Sequence, residues 1–340
     1  MNSKILNIRG KYFDSLTGRY ISILYPVLIW IVSSTLNISV QAQVPYMIDD
    51  ATGDTINQVP TYPDVRYGEH PKQVLHFWQA KSDNPTPLAF YIHGGGWVKR
   101  DRYRGLSRIL KGLLDGGISV VSVEYRFIPE AEADGVIPPV SAPMHDAARA
   151  LQFVRSNAAS WNIDSKHIAV CGESAGACTA LWIAFHENMS KPGSNDPVAR
   201  YSTRVFCAAT LVAQTTLDPK QMKEWTPNSN YGSHAFGISG DAQTNAFDMF
   251  INQRDKILPW IMEYSPYCLA SSDDPPVYLN YLTPPAIGEP QKDPTHTANF
   301  GVKLKERLDS LGVGCELVYP GALSVIHESM LSYLLFKLGK

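Results

Sequence analysis

Between residues 168 and 186 the chain passes from Ile168-Ala-Val-Cys171 through Gly172-Glu-Ser-Ala-Gly176 into a stretch with helical apolar spacing. A strand that enters a helix with almost no loop must turn sharply at the residue between them, and few sequences permit this. The glycines two residues before and two residues after Ser174 remove side chains that would collide in such a turn. The turn presents the Ser174 hydroxyl at the end of a strand, beside the positive end of a helix. This segment alone predicts a strand–helix alternation and a candidate nucleophile.

The rest of the chain repeats the alternation. Apolar runs predict strands at 74–78, 88–92, 118–123, 168–171, 205–212, 277–282 and 316–319. Helical spacing, as at Leu106, Ile109, Leu110, Leu113 and Leu114, predicts helices at 105–115, 143–157, 175–186, 298–311 and 327–338. Largely apolar strands separated by such helices define an α/β fold with a mostly parallel central sheet covered on both faces. Residues 43–70 read as a polar, proline-containing lead-in. Residues 214–273 break the alternation; they are rich in Asn, Ser, Gly, Thr and aromatics, with a helix expected at 245–260. That span is too long for a connection. It reads as an insertion over the carboxyl end of the sheet, where such folds bind ligands.

The amino terminus carries Lys4, Arg9, Lys11 and Arg19 against Asp14, then an apolar run over 21–32, then Val40-Gln-Ala42. This pattern predicts a signal peptide over 1–42 and a periplasmic or secreted domain over 43–340. Ser33, Ser34, Thr35 and Asn37 interrupt the run short of the roughly 18 apolar residues a membrane span requires, so no stable membrane anchor is expected. With 30 Lys+Arg against 32 Asp+Glu there is no basic excess, and nucleic acid is not an expected partner. Five cysteines are too few for a disulfide scaffold. In an exported chain any bridge would involve Cys207, Cys268 or Cys315, since Cys171 and Cys178 read as buried. No H-E-x-x-H, C-x-x-C or phosphate-loop pattern occurs, so no metal and no cofactor are expected.

A second Gly-rich element, His93-Gly-Gly-Gly-Trp97, directly follows the strand ending at Ile92. Successive glycines let backbone N–H groups approach a reacting carbonyl, each such donor being worth about 3–4 kcal/mol to an oxyanion. Gly95 and Gly96 are the expected donors, with the Ala175 N–H as the third; His93 is expected to prop the loop. A base must come from a loop at the carboxyl end of a strand. Among nine histidines, His327 follows the last strand across a short loop and is the expected base. His145 and His186 fall within helices, His167 lies at the wrong end of its strand, and His296 reads as a loop residue. In the chain order Ser, acid, His, the orienting carboxylate should follow the strand at 277–282. Asp293 fits, with Glu289 as competitor. Trp97, Glu173, Gln214 and Tyr231 are the candidates for lining a substrate cleft.

These residues resemble the α/β-hydrolase superfamily, and within it the HGGG-type carboxylesterase/lipase branch, the hormone-sensitive-lipase-like enzymes. The resemblance covers about residues 70–338 and extends to Val123-Glu-Tyr-Arg126 with Pro129-Glu130, and to Pro275-Pro-Val277. Two departures stand out. The family's H-G-x-x-D after the penultimate strand is here Asn280-Tyr-Leu-Thr-Pro-Pro, with the aspartate about eight residues late. The family's G-H-G-F is here Ile326-His-Glu-Ser329. Counting back from Leu311-Gly312 nevertheless puts Asp293 where the family's acid falls. The resemblance implies an α/β-hydrolase catalytic domain over 43–340. It implies an exported serine esterase acting on small-molecule or glycan esters, with short-chain or carbohydrate-linked acyl groups. An amide hydrolase of peptidase or arylformamidase type, or a non-catalytic binding module, are the alternatives on the same fold.

Overall fold

The computed structural model describes residues 10–14, 19–23 and 47–339. The expected signal peptide falls largely outside these residues; within it, Gly10–Asp14 and Arg19–Ile23 pair as antiparallel strands, Gly10 opposite Ile23. Residues up to Val44 form a unit separate from Pro45–Lys340.

The main sheet of the larger unit has eight strands: β1 (Tyr62–Arg66), β2 (Val74–Trp78), β3 (Thr86–Ile92), β4 (Ser119–Val123), β5 (Ile163–Glu173), β6 (Cys207–Leu211), β7 (Val277–Asn280) and β8 (Cys315–Val318). Their order across the sheet is β8-β7-β6-β5-β3-β4-β2-β1. β3 to β8 run parallel; β2 is antiparallel to β4, and β1 to β2. The expected parallel sheet is therefore present.

Side chains alternate between two cores. In β3, Leu88, Phe90 and Ile92 enter one core while Ala89 and Tyr91 enter the other; in β5, Ile168 and Val170 alternate with Ala169 and Cys171. The period of two explains why these runs are apolar throughout: both faces are covered. One face is roofed by α2 (Ser141–Ser156), α3 (Ala175–Phe185) and α4 (Asn299–Ser310), the other by α1 (Leu110–Asp115) and α5 (Met330–Leu338). All eleven residues of α3 are buried, which its uniformly apolar sequence requires.

Three departures from the expected elements have local causes. β1 lies within the lead-in: it is an edge strand, mostly exposed, and Pro63 within it is tolerated because an edge needs fewer ladder donors. The helix expected at 245–260 is two helices, Ala246–Gln253 and Leu258–Tyr264. Pro259 occupies the first turn of the second, where its missing N–H costs nothing. The helix expected at 105–115 is divided into a 3-10 turn, Leu106–Arg108, and α1. All five cysteines are free thiols; Cys171, Cys178 and Cys207 are buried. Among the described residues no helix is long and apolar enough to cross a membrane.

Candidate active site

Ser174 sits between the last residue of β5 and the first of α3, with φ 51° and ψ −122°. This left-handed conformation is strained for a residue with a Cβ. The structure around it leaves no room for larger neighbours. A Cβ on Gly176 would lie 2.1 Å from the Ile92 carbonyl oxygen, and one on Gly172 would lie 2.5 Å from the same atom. The Ser174 N–H donates to Leu211 O at 2.9 Å, and Ser174 O accepts from Cys178 N. Two strands and a helix thus fix the turn.

The glycine loop crosses directly over this turn. A Cβ on Gly94 would approach the Ser174 Cβ to 3.3 Å. Gly95 and Gly96 have φ of 119° and 66°, Trp97 and Arg100 have 57° and 84°, so the loop is a chain of left-handed residues. His93 is buried beneath it, its ring nitrogens facing Gly94 O at 2.7 Å and the Glu124 carboxylate at 3.1 Å. Burial alone would raise the Glu124 carboxyl, but the bond and charge of His93, with Lys72 and Arg102, hold it below the ordinary range. From outside, His234 Nε2–H donates to Gly96 O at 3.0 Å. Burial, opposed by that bond, lowers the pKa of His234. Gly95 and Gly96 line the cavity beside Ser174. Ala175 is the first residue of α3, whose N–H the helix ladder does not use.

The histidine beside Ser174 is where the structure departs from the expectation. Ser174 Oγ lies 2.9 Å from Nε2 of His296, and His296 Nδ1 lies 2.8 Å from Asp293 Oδ2. With Nδ1–H donating to the carboxylate, Nε2 is left to accept from the serine hydroxyl. Asp293 Oδ1 also accepts from the backbone N–H groups of Thr295 and His296 at 3.1 and 3.3 Å. Burial pushes the Asp293 carboxyl up. The bond and charge of His296 and these two N–H groups outweigh it and hold the carboxyl below its ordinary value. Glu289 makes no contact with this histidine; its backbone belongs to the turn at 286–289.

His327, the expected base, is elsewhere. Its ring Nδ1 is 2.7 Å from Glu316 Oε2, its own N–H and that of Ile326 donate to Glu316 Oε1, and its carbonyl accepts from Tyr278. Glu316 is the second residue of edge strand β8, so it draws the 319–329 loop back along the strand instead of toward Ser174.

Two cleft candidates are also corrected. Trp97 is fully buried, and its Nε1–H donates to Thr179 Oγ1 of α3 at 3.0 Å. Gln214 is buried too; its carboxamide donates to Thr295 O at 2.7 Å and so pins the loop that carries His296. Tyr231 and Glu173 do line the cavity, which has a volume of about 730 Å³ and is also bordered by Val98, Leu211 and Leu282. Asn228 and Asn299 do work that sequence reasoning missed. Asn228 exchanges two bonds with the Gln291 backbone, and Asn299 ties Ala286 to Trp225, fastening the Asp293 loop to the insertion. The His296 placement has a sequence signal: Asp293-Pro-Thr-His296 spaces an aspartate three residues before a histidine. One carboxylate can then cap the turn and hold the ring. Among the described residues no group of three or more His, Cys, Asp or Glu could hold a metal ion.

A strained serine between strand and helix, a glycine loop above it and a histidine–aspartate pair at the carboxyl end of this strand order define an α/β hydrolase. Residues 76–282 match the BD-FAE family, and the chain belongs to that family of α/β-hydrolase esterases. Among curated relatives it is similar to the probable isoprenylcysteine alpha-carbonyl methylesterase ICMEL1 of Oryza sativa subsp. japonica. The two are 28% identical over 134 residues, which is 39% of this chain and 29% of that protein. It is also similar to esterase LipC of Mycobacterium tuberculosis, 32% identical over 116 residues, 33% of this chain and 27% of that protein. The matches thus span less than a third of the length of either curated relative. Among solved structures, the acetyl ester-xyloside bifunctional hydrolase from Caldicellulosiruptor lactoaceticus shares the fold. Its TM-score is 0.58 at 22% identity, over 78% of this chain and 87% of that one.

Proposed function

We propose that this chain hydrolyses carboxylic esters through an acyl-enzyme, with Ser174, His296 and Asp293 as the catalytic residues. The observation that carries the reading is the unbroken chain from Ser174 Oγ through His296 to Asp293, at 2.9 and 2.8 Å, beneath the glycine loop. His296 Nε2 takes the serine proton as Oγ attacks the acyl carbonyl. Asp293 holds the Nδ1–H tautomer and stabilises the imidazolium. The N–H groups of Gly95, Gly96 and Ala175 receive the oxyanion. His296 then protonates the departing alcohol, and water, deprotonated by the same nitrogen, clears the acyl group.

Short-chain or carbohydrate-linked acyl esters are the proposed substrates. The similarity in fold to a bifunctional acetyl ester–xyloside hydrolase supports this, as does the open cavity bordered by polar groups. Export with removal of residues 1–42 belongs to the same proposal, and amino-terminal sequencing of the mature protein tests it. The main test is a chain-length series of 4-nitrophenyl esters from acetyl to palmitoyl, with Ser174→Ala as control. Turnover greatest at acetyl to butyryl and abolished in the variant is expected. Turnover unchanged in the variant, or amides cleaved while matched esters are not, would overturn the reading.

A further inference from the structure

The cavity beside Ser174 has one cationic wall. Lys99, Arg100, Arg104 and Arg108 all line it, and Glu173 is the only carboxylate among its lining residues. Among its other lining residues, Leu211, Val212, Tyr231 and Leu282 carry no charge. The two carboxylates that form ion pairs with the wall are each shared. Glu173 Oε1 meets Arg104 Nε at 2.8 Å and its Oε2 meets Arg108 Nη1 at 2.9 Å. Asp50, behind, takes Arg104 Nη1 at 3.0 Å and Arg100 Nη1 at 2.5 Å. Three guanidinium groups therefore divide two carboxylates, and among the described residues Lys99 has no ion-pair partner.

The wall is also held in place before anything binds. Asp49 accepts from Gly105 N–H at 2.7 Å and from both the N–H and the hydroxyl of Ser107 at 3.0 and 2.7 Å. Tyr91 donates to Arg104 O at 2.7 Å. Glu173 is itself buried and immediately precedes the nucleophile, so it anchors two of the guanidinium groups to the residue beside Ser174. The Arg100 and Arg108 side chains remain 39% and 42% exposed, with Arg108 spending a single N–H on Glu173. Guanidinium N–H groups left over in a fixed fork match a carboxylate.

We infer that the ester this site takes is itself an anion, carrying a carboxylate that docks on the Arg100–Arg104–Arg108 wall while its ester group meets Ser174. The inference rests on the ester-hydrolase reading and narrows it. The test uses two matched substrate pairs on the full chain. With 3-acetoxybenzoate against 3-acetoxybenzamide the carboxylate is in the alcohol half. With 4-nitrophenyl hemisuccinate against 4-nitrophenyl butyrate it is in the acyl half. In one pair the charged member should have a kcat/KM about tenfold higher, a preference that shrinks in 0.5 M NaCl and falls to near unity in Arg108→Gln and Arg100→Gln. The pair that shows it identifies the half that carries the charge. Because each ratio is taken on one protein sample, it is independent of the fraction that is folded. Hydrolysis of both members with no preference, or a preference indifferent to salt and to both variants, overturns this inference and leaves the esterase reading standing. Failure to hydrolyse any of the four overturns both.

Discussion

Two of the histidine–carboxylate pairs among the described residues, His296–Asp293 and His327–Glu316, have nearly the same geometry. His296 Nδ1 is 2.8 Å from Asp293, and His327 Nδ1 is 2.7 Å from Glu316. In both, the carboxylate also takes two backbone N–H groups, including the N–H of its own histidine. What separates them is the other ring nitrogen. Nε2 of His296 meets a strained serine hydroxyl, whereas the His327 ring packs 4.7 Å from Phe336 and edge-on to Tyr333. His327 also borders a cavity of its own, about 490 Å³; Ser324, at φ 61°, lines it too, but among the described residues its hydroxyl makes no hydrogen bond to His327. A charged partner orients an imidazole, but only the group on the far nitrogen makes it a base.

The sharpest way to break this comparison is to remove each histidine in turn. His296→Ala should lower kcat on 4-nitrophenyl acetate by about 10⁴–10⁶-fold, while His327→Ala stays within about threefold. The reverse pattern would transfer the role of base to His327. Exchanging the carboxylates is the next step. Asp293→Asn should cost about 10²–10⁴-fold in kcat by favouring the wrong tautomer. Glu316→Gln should leave kcat alone and cost about 1–2 kcal/mol in urea unfolding. A third histidine sharpens the contrast by having no carboxylate on its ring. His76 accepts from the Asp64 N–H on Nδ1 and donates to the Tyr103 hydroxyl from Nε2. Burial, and then the nearby Arg102, lower its pKa to about 4. Its folded value lies below its unfolded value, so the unfolded chain binds the proton first. Stability should fall as pH drops from about 6.5 toward 4, by up to about 3 kcal/mol. Urea titrations at pH 7 and pH 4.5 should show that difference flattened in His76→Gln.

The fold was largely legible. The inner strands of the parallel sheet, β3 to β7, are legible as apolar runs because both of their faces are covered; edge strand β8, half-buried and carrying Glu316, is legible only in part. β1 was not legible, since an exposed edge strand containing Pro63 has neither the alternation nor the apolar content that marks a strand. In the site, Ser174 and the glycine loop could be read from local backbone demands. Asp293 could be read from its place after β7. The base could not be read from strand order alone. That order points to the loop after β8, and only the tertiary contact between Glu316 and that loop turns it away. Trp97 and Gln214 teach a related point: proximity in sequence to a site does not say whether a side chain points into the cavity or into the scaffold.

The three-residue spacing of Asp293 and His296 has a mechanical consequence. The proposed acid and base ride on one short turn, fastened by Gln214, Asn228 and Asn299. When that turn shifts, the two travel as a single part. The imidazole keeps its tautomer and its protonation behaviour while its reach to the serine changes. Loosening the fastenings should therefore act like a volume control on the rate, leaving the pH profile in place, and an enzyme so arranged can be throttled without being retuned.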